Sequence, residues 1–228
     1  YIIWKNIQFN ALAKNEILAR KYYSMKSQKI VFLLILIPMC VVLISNQLQN
    51  EDNISILVNN SGPYIGTGIP HSDGYDGSGI IISVIDTGVD LDHPDLLGFG
   101  MDGKIIGGYD FIDNDEIPED TNGHGTQVTG IIASNGNLKG IAPNSKILAY
   151  RVSENGESVS SDLIIKAIEK SIEDGANIIN ISLGVNQTSS KIDQMVTKAV
   201  ENNIFVVTAA GNFGPELSTI GSPAINPN

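Results

Sequence analysis

Three residues stand where this chain can do chemistry. Asp86 follows an unbroken apolar run, Ile80-Ile-Ile-Ser-Val-Ile85, and precedes Thr87-Gly88. His124 opens a second apolar run after a turn rich in Gly, Asn and Thr. Asn212 follows Ala209-Ala210-Gly211. A carboxylate at the end of a buried strand is desolvated and needs a partner. An imidazole that opens a helix after a glycine-rich turn can approach it closely. A carboxylate that fixes an imidazole turns it into a competent general base. An asparagine at another strand end can donate a hydrogen bond to an oxygen that gains negative charge. Taken singly, each has a plainer reading. Asp before Thr-Gly ordinarily caps a turn. His93 lies in a turn and His71 in a polar stretch, so both read as structural. Asp90, Asp92 and Asp95 could gather a cation, but Asp-rich turns are ordinarily solvated. Asp102, Asp110, Asp113, Asp115, Glu116 and Glu119 read as an acidic, solvated loop.

The elements that must position these residues follow from hydrophobic period. Ile80–Ile85 is short and β-branched and reads as a strand buried on both faces. Gly125–Ala133 reads as a buried helix and Lys146–Val152 as a second strand. From Ser161 to Asp174, Leu163, Ile164, Ala167, Ile168 and Ile172 recur at helical spacing. Ser160 or Ser161 can cap that helix and Gly175 can end it. Ala176–Leu183 reads as a strand, Ser189–Asn202 as a helix and Ile204–Ala210 as a strand. Strand and helix alternate, which predicts an α/β fold: a parallel sheet with right-handed crossovers and helices on both faces. Sites in such sheets collect at the carboxyl ends of the strands. Asp86, Ser182-Leu183-Gly184 and Asn212 all fall there. Parallel sheets often bind dinucleotides, but that chemistry wants glycines just after the first strand. Gly74, Gly77 and Gly79 come before it, so the match fails.

The chain has 228 residues, 42% of them hydrophobic, and a net charge of -11. That suits one acidic domain. It argues against nucleic acid as a partner, because phosphate binding needs clustered Lys and Arg. The single cysteine, Cys40, excludes an intrachain disulfide and reads as a small hydrophobe. The chain opens on Tyr1, and Met25 is the first start candidate, so 1–24 reads as an upstream segment. Residues 25–45 carry a basic stretch and then the apolar run 30–44, the pattern of a signal peptide. No clear cleavage site follows, so membrane anchoring through 30–44 stays as the alternative. Residues 46–78 are polar and read as a linker, and 79–228 as the domain.

The words around the three residues are more specific than the residues. Val84-Ile-Asp-Thr-Gly-Val-Asp90 runs on to His93-Pro-Asp-Leu96. Asn122-Gly-His-Gly-Thr-Gln-Val-Thr-Gly130 follows, then Gly140-Ile-Ala-Pro143, Ile181-Ser-Leu-Gly184 and Ala209-Ala-Gly-Asn212. In this order they resemble the subtilisin-like serine endopeptidases, the subtilases or peptidase S8 family, over about Gly79 to Asn212. Among these the leader peptidases of lantibiotic gene clusters look similar. The resemblance implies Asp86 as the triad aspartate, His124 as the general base and Asn212 as the oxyanion donor. It implies that Ser182, Leu183 and Gly184 pair with a peptide or protein substrate by adding it as a strand. It also implies a secreted or membrane-anchored extracellular protein of bacterial origin.

The departures from the family pattern set further expectations. Gln127 and Thr129 stand where many subtilases have His and Ala. Asp95 resembles a calcium ligand of some secreted members, but the loop from Ser134 to Lys139 is shorter than the one that completes that site. No cofactor is required, and calcium is in doubt. The linker is short for an inhibitory prodomain. The family's nucleophile sits in a Gly-Thr-Ser motif beyond the oxyanion asparagine, and no such motif occurs here. Ser218 and Ser222 lie in Leu-Ser-Thr and Gly-Ser-Pro contexts, without a strand-to-helix elbow. The expectation is a subtilisin-like domain that is incomplete at its C-terminus, with no nucleophile in this chain. Two functions fit: part of an active peptidase, or an inactive module that at most binds peptides along Ser182–Gly184.

Overall fold

The apolar run before Asp86 forms the central strand of a five-stranded parallel sheet, ordered β2-β3-β1-β4-β5. The computed structural model describes residues 62–227, apart from 157, 158 and 216. The expected signal or anchor segment 25–45, its apolar run 30–44, Cys40 and the first part of the linker lie outside the described residues. Among the described residues, no helix is long and apolar enough to cross a membrane.

In chain order the elements are helix α1 (Gly68–Ser72), strand β1 (Ile81–Asp86), a 3-10 turn (Pro94–Leu96), β2 (Ile105–Asp110), helix α2 (His124–Ala133), β3 (Lys146–Arg151), α3 (Ser161–Glu173), β4 (Ile178–Ile181), α4 (Ser190–Glu201) and β5 (Phe205–Thr208). The alternation predicted a parallel sheet because two parallel strands need a crossover between them, and α2, α3 and α4 supply it. β1 alternates its side chains between two cores. Ile82 and Val84 pack with Val128, Ile131 and Ile132 of α2. Ile85 packs on the other face with Ile164 and Ile168 of α3 and Ile192 and Val196 of α4. Ser83 also points to that second face, where its Oγ lies 2.6 Å from the Ser171 hydroxyl. Ser171 in turn donates to the Ala167 carbonyl, so Ser83 is the donor to Ser171. Ser160 Oγ accepts from Asp162 N, and Ser189 Oγ accepts from Ile192 N, so both helices start on a serine cap.

Three expectations need correction. β2 was not expected, because Gly107 and Gly108 weaken a strand pattern. The sheet uses Gly108 for close approach: a Cβ there would sit 1.8 Å from the Ala149 carbonyl oxygen. The acidic loop is not wholly solvated. Asp110 ends β2 and is buried, its Oδ2 accepting from Arg151 Nη1 at 2.7 Å, whereas Asp102, Asp113, Asp115, Glu116 and Glu119 are exposed. The second half of the expected linker is part of the domain. Thr67 and Pro70 are buried, Ile65 and Tyr75 pack against the α2-side core, and His71 Nε2 lies 2.8 Å from the Ile141 carbonyl oxygen. Its few apolar residues follow no helix or strand period, which hid that contact. β4 and β5 are each shorter at both ends than their apolar runs.

Candidate active site

Asp86 is the last residue of β1 and is 1% exposed. Its Oδ1 accepts from Thr87 N at 2.7 Å and lies 2.6 Å from Nδ1 of His124. Its Oδ2 is buried with no hydrogen-bond partner among the described residues. The carboxylate therefore has one charged neighbour to answer it, the imidazole. His124 is the first residue of α2, so the helix start sets its position. Gly125 allows the approach: a Cβ there would lie 2.1 Å from the Gly88 carbonyl oxygen and 3.2 Å from Asp86 Oδ1. The side chain of His124 is 37% exposed, so the ring is anchored at one edge and open at another. Its pKa is raised, first by the hydrogen bond to Asp86 and then by the charges of Asp86 and Asp120, against the opposing pull of burial. With the Nδ1 proton held by Asp86, Nε2 is the nitrogen left to accept a proton.

Two neighbours of this pair gave no signal that sequence reading used. Thr87 Oγ1 donates to Asp120 Oδ1 at 2.9 Å and accepts from Gly125 N at 2.9 Å. Asp120 Oδ1 also accepts from Asn122 N and Gly123 N, both at 2.9 Å. The available clue was Asp120-Thr-Asn-Gly123, a run in which an Asp side chain commonly folds back on its own turn.

The other expected site residues lie at the same end of the sheet but make no hydrogen bond to this pair among the described residues. β1, β4 and β5 are neighbours, so their carboxyl ends stand side by side, about 5 Å apart per strand. Ser182 follows β4 and accepts from Asn180 Nδ2 at 2.8 Å. Leu183 is buried and Gly184 exposed. Val185 N donates to the Ser222 carbonyl at 2.9 Å, which draws Gly221–Pro223 alongside this segment. Asn212 is exposed, beyond the end of β5. Ser222 is buried, and its hydroxyl donates to Asp193 Oδ1 at 2.8 Å while accepting from Ser189 N. Ser218 is exposed.

Asp95 stands apart. Its Oδ1 accepts from Asn137 N at 2.8 Å and its Oδ2 from Leu138 N at 3.0 Å. Two amide donors aimed at the carboxylate present positive charge where a cation would sit. Among the described residues no group of three or more His, Cys, Asp or Glu could hold a metal. The residues present do not fit calcium at this position; Asp95 clamps the 135–138 loop instead.

A family model described as the subtilase family, peptidase S8, matches residues 77–228. The minor extracellular protease Vpr of Bacillus subtilis is 39% identical over 76% of the chain, which spans 23% of that protein. The thermophilic serine proteinase of Bacillus sp. AK1 is 47% identical over 64% of the chain and 36% of its own length. Thermitase of Thermoactinomyces vulgaris is 41% identical over 61% of the chain and 50% of its own length. The chain thus spans half or less of each of these relatives. Among solved structures, a cold adapted subtilisin-like serine proteinase aligns at a TM-score of 0.59 and 35% identity, over 67% of this chain and 54% of that one.

Proposed function

The chain belongs to the subtilase family, and we propose that it forms the Asp- and His-bearing part of a secreted or membrane-anchored bacterial serine endopeptidase. The observation that carries this reading is the 2.6 Å contact between His124 Nδ1 and a buried Asp86. A paired, raised-pKa imidazole with a free Nε2 is the form a general base needs.

In the proposed reaction, a serine outside this sequence supplies the nucleophile. His124 Nε2 takes the proton of its hydroxyl as the oxygen attacks the peptide carbonyl. Asp86 stabilises the imidazolium that forms and keeps the ring oriented. Asn212 donates a hydrogen bond to the tetrahedral oxyanion. The imidazolium then passes its proton to the leaving amine, the C–N bond breaks and an acyl-enzyme remains. The same base activates water to release the acid. Ser182–Gly184 lies beside this centre and receives the peptide or protein substrate as an added strand. The reaction needs no metal and no nucleic acid, and residues 30–44 serve export or anchoring.

The test is hydrolysis of an unstructured protein substrate by the gene product that carries this chain. His124→Ala is expected to lower turnover by about 10⁶-fold, the size known for this change in subtilisin itself. Turnover that survives the substitution would remove His124 from the mechanism. The isolated 228-residue chain is expected to show no serine-type hydrolysis.

A further inference from the structure

The Asp86–His124 contact joins the end of a strand to the start of a helix, and neither is a rigid platform by itself. The first turn of a helix has unsatisfied N–H groups. One carboxylate links the helix start to the strand end, accepting from the N–H groups of Asn122, Gly123 and Thr126 and from the hydroxyl of Thr87. Asp120 is half-buried in the turn before α2 and accepts from five donors. Thr87 Oγ1, Asn122 N and Gly123 N reach Oδ1, each at 2.9 Å. Thr126 N reaches Oδ2 at 2.9 Å and Thr126 Oγ1 at 2.6 Å.

These donors bracket the pair in sequence. Thr87 is the residue after Asp86; Gly123 is the residue before His124. The two threonines extend the grip. Thr87 Oγ1 accepts from Gly125 N at 2.9 Å, and Thr126 Oγ1 accepts from Asp90 N at 2.9 Å. The turn also closes through its own backbone, with Asp120 N donating to the Val89 carbonyl. Both residues of the pair are therefore tied, through immediate neighbours, to one anion. Placed by the helix start, that anion also favours positive charge on the ring. The charged groups facing His124 are Asp86 from β1 and Asp120 from this turn.

We propose that Asp120, working through Thr87 and Thr126, is the positioning residue that sets the Asp86–His124 contact. This rests on the serine endopeptidase reading for its purpose, though not for its geometry. Asp120 does not touch the reacting atoms. It fixes where the base stands when a substrate arrives.

The test is proton NMR of the full chain, which reads His124 without needing turnover. In the wild type, His124 is expected to titrate above an ordinary imidazole and to show a low-field Nδ1 proton. Asp120→Asn removes the charge and turns one acceptor into a donor facing Thr126. It is expected to lower the His124 pKa and weaken the low-field proton. Asp120→Glu is expected to restore the pKa in part. If Asp120→Asn does not fold, Thr87→Val cuts the link to Gly125 with the charge intact. That variant is expected to weaken the low-field proton, and Thr87→Ser to restore it. A folded Asp120→Asn or Thr87→Val chain with a wild-type His124 signal would overturn the proposal. A wild type whose His124 lacks the low-field proton would instead remove the Asp86–His124 pair, and the endopeptidase reading with it.

Discussion

Asp86 and His124 are ordinary residue types made unusual by contact. The 2.6 Å hydrogen bond to Asp86, and then the charges of Asp86 and Asp120, raise the imidazole pKa against the opposing pull of burial. A general base acts only when unprotonated, so kcat/KM should rise with pH through a value above about 6.5, the ordinary imidazole pKa. A pH–rate profile whose acid limb lies below that value would contradict the pairing. The stability consequence has the opposite sense. A raised folded-state pKa stabilises the fold below about 6.5 and loses that contribution as pH rises through the folded value. Asn212→Ala should lower turnover by about 10²–10³-fold with little change in KM, a range known from subtilisin's own oxyanion asparagine. Steady-state kinetics of the two enzymes checks it, and an equal turnover would exclude Asn212 from the oxyanion site. Asp86 and His124 were legible in the sequence because each closes or opens an apolar run inside a distinctive word. Asp120 was not, because its one clue, the run Asp120-Thr-Asn-Gly123, reads as an ordinary turn, and its bond to Thr87 spans 33 residues.

At the scale of elements, the start of α2 must touch the end of β1. Gly125→Ala would place a Cβ against the Gly88 carbonyl. Helix and strand would have to part, so the variant should lose about 1–3 kcal/mol and the His124 low-field proton. Gly130 lies in the same helix, and a Cβ added there would meet nothing within 4 Å. Gly130→Ala should therefore stabilise the chain by about 0.5–1 kcal/mol, the difference in helix propensity. Thermal denaturation of the two variants separates close approach from propensity; equal effects would contradict the packing described. The periodic elements β1, α3 and α4 were readable because burial imposes their pattern. β2 escaped because its glycines trade side-chain burial for backbone approach, and Asp110 looked solvated because its partner, Arg151, lies 41 residues away. The packed segment before Gly79 escaped because three scattered apolar residues, Ile65, Pro70 and Tyr75, have no period.

At the scale of the whole molecule, the sheet order sets the layout. β1 sits between β3 and β4, and its carboxyl end carries Asp86 at the middle of the site face. The other end of the sheet holds an unusual charge. Lys104 is 5% exposed, with Nζ bonded to the carbonyls of Pro143 and Ser145. Burial, aided by the charge of Lys146, lowers its pKa to about 8. A depressed folded-state pKa adds stability that is fully present above about 10.4 and lost as pH falls through about 8. Relative to Lys104→Met, the wild type should thus gain about 1 kcal/mol per pH unit across that window. Denaturation of both proteins from about pH 7 to 10 measures the gap, and a pH-independent difference would contradict a buried ammonium. The central claim concerns Asp86 and His124 as two parts of a serine peptidase centre. Its most direct test is a fluorophosphonate reaction with the gene product that carries this chain, read by mass spectrometry. The account predicts one adduct on a serine outside the 228 residues, lost in His124→Ala. Proteolysis that persists without any adduct would contradict it.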